Sequence, residues 1–143
     1  MKTNSKYHAV HHGVILDISD ENLVHLIFPQ DLDFGLKQAK SIERIILEQI
    51  ESEKFTIISD FTDSFGSMTS EAQRFFANEA ESINQITASA IIVNNLPIRI
   101  LVKFYLNFFK PIYPTKIFAN VVLAKEWFME VENQNIQHAS NVG

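Results

Sequence analysis

The chain has no cysteine, which excludes disulfides and thiolate metal sites. It has four glycines against twelve phenylalanines, so turns needing unusual backbone angles are few and the core can be solid. No apolar run approaches the roughly 20 residues that span a bilayer. The opening residues, Met1-Lys-Thr-Asn-Ser-Lys-Tyr-His8, lack the apolar stretch of a signal peptide, and a cytoplasmic address is expected. Nucleophile elbow, P-loop and HExxH motifs are all missing, so no enzymatic activity and no cofactor are expected. Acidic residues are missing from one long window. No Asp or Glu lies between Glu81 and Glu126, while Arg99, Lys103, Lys110, Lys116 and Lys125 fall inside it. The window carries +5 and the remainder −10, for a net charge of −5. That balance argues against nucleic acid and gives the protein two electrically different faces.

What is present fits one domain. The 143 residues are 46% hydrophobic and 20% charged, as in an ordinary globular protein. Residues 1–12 are polar and are expected to be loose or an edge extension. From Gly13 the pattern is strand-like, with a hairpin formed by Val14–Ile18 and Leu23–Phe28 around a turn at Ser19–Asn22. Asp33 is placed to cap a helix reaching about Ser52, with Leu36, Ala39, Ile42, Ile46 and Ile50 on its apolar side. Phe55–Asp60 is the next strand. Ser70-Glu-Ala-Gln73 has the form of a capping box opening a second helix. Thr87–Val93 reads as a strand covered on both faces. Asn95 and Pro97 open a third helix, and Pro111 and Pro114 stop it. Thr115–Phe118 is the last strand, and Asn120 caps a final helix carrying Val121, Ala124, Trp127, Phe128 and Val131 on one side. Residues 133–143 are expected to be a disordered polar tail. The order ββαβαβαβα predicts an α/β fold. Its open mixed sheet has five strands, the first antiparallel and the rest parallel, with four helices on its faces.

This order resembles the STAS superfamily, and more narrowly the SpoIIAA-like or STAS/CRAL-TRIO-like small bacterial proteins. The resemblance spans 13–132 as one domain. It is carried by Ile58-Ser-Asp60 and its loop, by Ser70-Glu-Ala-Gln-Arg-Phe-Phe76, and by Lys110-Pro-Ile-Tyr-Pro-Thr-Lys-Ile-Phe118 leading to Ala124-Lys-Glu-Trp127. It implies a regulatory or interaction module. In the anti-sigma-factor antagonists of that superfamily a Ser opening the second helix is phosphorylated. The matching place here is Met68-Thr-Ser-Glu71, where Met68 replaces the family's Asp and the following Gly is absent. The first reading of Ser70 is a plain N-cap; as a phosphosite, the alternative, it stands ahead of Thr69.

Asp60, Asp63, Ser64, Asn94 and Asn95 are expected near the carboxyl ends of the strands, where open α/β sheets bind ligands. Such residues suit acid–base chemistry or a hard cation, and equally suit loop and cap hydrogen bonds. His8, His11, His12 and His25 invite a metal reading. Pairing Leu16 with His25 across the hairpin would leave His12 and His25 about 13 Å apart at strand rise, too far for shared zinc, so no metal is expected.

The helix 96–110 is the feature around which function is read. Its polar residues, Arg99, Lys103, Asn107 and Lys110, form one narrow stripe. Ile98, Leu101, Val102, Tyr105 and Phe109 are assigned to the sheet. Either neighbouring helices bury the rest, or some of Ile100, Phe104, Leu106 and Phe108 are left for a dimer interface, an apolar ligand or a membrane. The interaction surface expected is Arg99, Lys103, Phe104, Phe108 and Lys110. The first reading is a non-enzymatic regulatory module, homodimeric through this helix, with a protein partner. The alternative is binding of anionic lipid at a membrane periphery, or of an apolar ligand.

Overall fold

A computed structural model describes residues 5–64 and 67–142. The main sheet has six strands in the order β1-β2-β3-β5-β7-β8: β1 Ser5–His11, β2 Val14–Ser19, β3 Leu23–Ile27, β5 Phe55–Asp60, β7 Ile86–Ile92 and β8 Thr115–Phe118. β2 is antiparallel to both neighbours, and the pairs from β3 onward are parallel. Two short strands, β4 Asp33–Phe34 and β6 Ser67–Met68, pair by themselves. The described residues also hold four α-helices: α1 Leu36–Gln49, α2 Ser70–Arg74, α3 Leu96–Phe109 and α4 Val121–Val142. The expected mixed α/β architecture therefore stands, with one strand more in the main sheet than the five expected and the β4–β6 pair besides.

The added strand is β1. His12 (φ 54°) and Gly13 (φ 78°) form a two-residue turn with both φ positive, which suits a tight hairpin. Residues 5–11 thus pair along β2 as an edge strand, although little of their side-chain surface is buried. Of the two expectations for this segment, loose or an edge extension, the second holds for residues 5–11, which backbone pairing fixes in place; residues 1–4 lie outside the described residues. The hairpin register also differs by one residue from the one expected: His25 faces Asp17, and Leu16 faces Leu26.

Helix starts bring further corrections. Asp33 belongs to β4, and α1 begins after Gly35, whose N–H donates to Gln38 Oε1 at 3.0 Å. Thr69, one residue before Ser70, is the N-cap of α2, its Oγ1 accepting from Ala72 N at 3.2 Å. Gln73 donates to the Met68 carbonyl instead of closing a capping box. The second helix is short, giving way to a π turn over Phe75–Glu79 and a 3₁₀ turn over Glu81–Asn84. The caps of the last two helices form as expected, with Asn95 Oδ1 accepting from Ile98 N at 2.9 Å and Asn120 Oδ1 from Leu123 N at 3.0 Å. The segment from 133, expected to be disordered, continues α4 as far as Val142.

The sheet divides the helices unequally. α4 covers one face, packing Ala124, Trp127 and Phe128 on Ile58, Ala88, Ala90 and Ile92. α1 and α2 cover part of the other, where Ala39, Ile42, Ile46 and Ala72 join Val14, Leu16, Val24 and Leu26 in the largest core cluster. α3 lies on that same side, over Ile91 and Val93. Alternation along the strands separates the two faces: Ile57, Ser59, Ser89 and Ile91 look towards α3, and Ile58, Ala90 and Ile92 towards α4.

Candidate functional site

Of the places singled out by sequence, the strand-end carboxylates and the α3 helix are treated differently by the structure. At the carboxyl end of β5, Asp60 is buried. Its Oδ2 lies 3.1 Å from His25 Nε2, and its Oδ1 accepts from the backbone N–H of Thr62 at 3.0 Å and from the Thr62 hydroxyl. Burial by itself would raise this carboxyl. The hydrogen bonds from His25 and Thr62, with attraction to His25, outweigh it and hold the pKa below the usual 3.8. Asp63 is exposed, and Asn95 is occupied as the α3 cap. Ser64 is fully buried, its hydroxyl without a partner among the described residues. Asp60 is thus a satisfied strand-end carboxylate, and no hydrogen bond brings Asp63, Asn94 or Asn95 to it among the described residues. Sequence reasoning missed the His25 partnership, because it depends on β3 lying beside β5, a pairing of segments far apart in the chain. No group of three or more His, Asp or Glu is gathered to hold a metal among the described residues.

The Asp60 arrangement has a testable consequence. A carboxyl with a lowered folded-state pKa adds stability above its unfolded value, and that contribution vanishes as pH falls through the folded value. Urea denaturation followed from neutral pH downwards should show wild type losing stability below about pH 4, by at most about 1.4 kcal/mol per pH unit from this group. Asp60→Asn should lack that share of the acid limb. Parallel limbs would show that the His25–Asp60 contact is absent in solution.

The second place is α3. Of its side chains only Ile98 is buried; Val102, Tyr105 and Leu106 are half-buried in a cluster with Ile91, Val93, Phe61 and Ile117, and half-buried Phe109 packs on Tyr105 and Phe108. Leu101, expected on the sheet, is 55% exposed, whereas Leu106 turns inward. Phe104 and Phe108 are 68% and 78% exposed, and Arg99, Lys103, Asn107 and Lys110 all face solvent. A helix apolar nearly all round has no single inward direction, so the partners available on the sheet decide which residues turn in.

Beneath α3 the packing stops short. A cavity of about 700 Å³ lies between the helix, the sheet and the α2 segment. Its floor is Leu26, Ile57, Ser59, Ser89 and Ile91; its roof is Ile98, Val102, Tyr105 and Phe109; Leu101, Phe104 and Phe108 stand at its rim. The two serines explain part of the space. Each is a small side chain on a floor otherwise made of Leu26, Ile57 and Ile91. Tyr113, from the loop after α3, closes one side by donating to the Phe76 carbonyl at 2.6 Å. Burial pushes the Tyr105 phenol up to about 12 and Tyr113 well above its ordinary value, so both stay neutral donors at physiological pH.

Two charged residues border the cavity. Glu43 is buried, its Oε1 accepting from Ser82 N at 2.8 Å. Arg74 is exposed, its guanidinium 5.9 Å from the centre of the Phe109 ring. Arg74 forms no ion pair among the described residues, and Ser70 is exposed beside it at the start of α2. Sequence reasoning found the surplus on α3 but not Glu43, Ser59, Ser89 or Tyr113. Each is unremarkable in its own element and acquires meaning only by facing the same space.

The size and lining fit ligand pockets, which are mostly apolar, hold a few placed polar groups and run to roughly 300–1,000 Å³. The sequence matches the model of a family described as a domain of unknown function (DUF7793) over residues 16–132. No curated protein matches the chain. Among solved structures, the fold is similar to that of an uncharacterized protein from the DUF3478 family of Shewanella loihica PV-4, described as having a SpoIIAA-like fold. The two share 13% identity with a TM-score of 0.51, over 89% of this chain and 98% of that one. At that identity the likeness speaks for the fold alone, and the SpoIIAA-like resemblance seen in the sequence holds at that level.

Proposed function

The chain belongs to the DUF7793 family, and on that premise we propose that it is a non-enzymatic binding module whose cavity under α3 takes an apolar-chain molecule. The single observation that carries this reading is the cavity of about 700 Å³, floored by the sheet and roofed by half-buried apolar side chains. An apolar ligand there would supply the contacts that α3 lacks, at roughly 0.8 kcal/mol for each CH₂ removed from water. Glu43, Tyr105 and Tyr113 would orient a polar end group, while the rings at the rim would shield the chain. Occupancy would change how firmly α3 rests on the sheet, which is how such a module could act in regulation. Asp60 is spoken for by His25 and Thr62, which favours binding over acid–base chemistry at the strand ends.

Titration with a neutral, environment-sensitive naphthylamine dye tests this. Saturable binding of one dye per chain, reversed by a long-chain alcohol or fatty acid, is the expected result. A dye that stays quenched at all protein concentrations would refute the cavity as a ligand site.

A further inference from the structure

The outward face of α3 was left over by the cavity's roof, and it is distinctive. Leu96, Ile100, Leu101, Phe104 and Phe108 are 69%, 46%, 55%, 68% and 78% exposed, and Ile112 just beyond the helix is 65% exposed. Arg99, Lys103 and Lys110 stand among them, all exposed, and none forms an ion pair among the described residues. No acidic residue occurs in the chain from Ser82 to Lys125. We infer that this face docks α3 flat on an anionic lipid bilayer, with Leu96, Ile100, Phe104 and Phe108 entering the interface and Arg99, Lys103 and Lys110 meeting the headgroups.

Charge selects this occupant. A second copy seated by two-fold symmetry would set three cations against the same three cations, with no carboxylate on the face to separate them. An anionic bilayer offers both phases that the helix presents, a hydrocarbon boundary and a layer of negative charge. The remainder of the chain carries −10 and would be repelled, which orients the molecule with α3 towards the lipid. α4, the other helix with outward apolar residues, intersperses Val122, Leu123 and Met129 with Glu126, Glu130 and Glu132, and so lacks this match. At 1.5 Å per residue α3 is about 21 Å long, suited to lying in the interface plane. No helix among the described residues is long and apolar enough to cross a membrane. The inference deepens the reading of the cavity, since the helix that would touch the bilayer is the cavity's roof, and Phe104 and Phe108 belong to both surfaces.

Flotation of the full chain with vesicles tests it, using phosphatidylcholine alone and phosphatidylcholine with a third phosphatidylglycerol. Binding to the anionic vesicles should exceed binding to the neutral ones by at least tenfold and weaken as salt is raised. Each basic residue near such a surface contributes roughly fivefold in affinity, so R99E/K103E should lower binding at least twentyfold. Ile100→Gln should weaken it without changing the salt dependence. None of these three residues borders the cavity, so all the variants should keep dye affinity. Absent flotation, equal flotation with neutral vesicles, or indifference to R99E/K103E would each overturn docking, as would light scattering showing a dimer that I100Q dissolves. Dye binding that survives such a result would leave the cavity reading standing. Loss of dye binding with intact flotation would remove the cavity and keep the docking face.

Discussion

Ser89→Leu is expected to lower the affinity for the neutral dye by roughly tenfold or more while leaving the protein as stable as before, or more so. Ser89 is 5% exposed and lies on β7 between Ile57 and Thr115 in the sheet row that floors the cavity. Its hydroxyl has no hydrogen-bond partner among the described residues, so replacing it orphans no other group. Leucine would place its added carbons where ligand carbons would lie. Each displaced CH₂ is worth about 0.8 kcal/mol, and two or three of them account for the drop. The stability reading makes the experiment decisive. In an open cavity the added carbons find room and remove apolar wall from water. If α3 were shut against the sheet in solution, the same substitution would overpack the core and cost about 1–3 kcal/mol. A stable variant that no longer binds dye supports the cavity, and a destabilised variant argues that the space is closed.

The second large effect belongs to the opposite face. Trp127→Ala should destabilise the fold by about 3–5 kcal/mol, a large share of the 5–15 kcal/mol that holds a typical domain together. Trp127 is 8% exposed, packs on Phe118 and Phe128 with ring centres 5.6 Å from each, and has Lys116 Nζ 5.3 Å from its centre. Among the described residues α4 is the one helix on this face, so no neighbouring helix is placed to fill the hole. The dye affinity of the folded fraction should be unchanged, because α3 and its cavity lie across the sheet. Chemical denaturation with and without dye would show both. A loss of under about 0.5 kcal/mol, within the range of ordinary surface changes, would mean that α4 is not seated as described. Changed dye affinity would mean that the two faces are coupled through the sheet.

The contrast between these residues shows how far local pattern reaches. Trp127 was legible: it recurs with Val121, Ala124, Phe128 and Val131 at helical spacing beside charged residues, and the structure packs them together. Ser89 was not legible, because a serine in an apolar strand looks like an incidental polar residue until its opposite wall is known. Leu101 and Leu106 exchanged sides relative to expectation, since the polar stripe is narrow and marks one outward edge without telling which apolar flank turns in. β1 was only half legible, as one of two readings of residues 1–12, for the opposite reason. An exposed edge strand is held by backbone hydrogen bonds, and its side chains need not alternate. Asp33 and Ser70 were good cap types in the wrong place, because Phe34 pairs with Met68 and fixes where both neighbouring helices begin. The cluster of Asp60, Asp63 and Asn95 dissolved once each side chain was traced to a nearby partner or to solvent.

From the amino acids alone came the succession of strands and helices, the caps of the last two helices, the apolar excess of 96–110 and the concentration of positive charge around it. These follow from short-range rules of periodicity, capping and charge, each satisfied within a few neighbouring residues. Only the folded arrangement decided that the excess splits into a cavity roof and an outward face, and that Glu43, Ser89 and Tyr113 meet across that space. A cavity is the volume that several distant segments fail to fill, and no single segment encodes it.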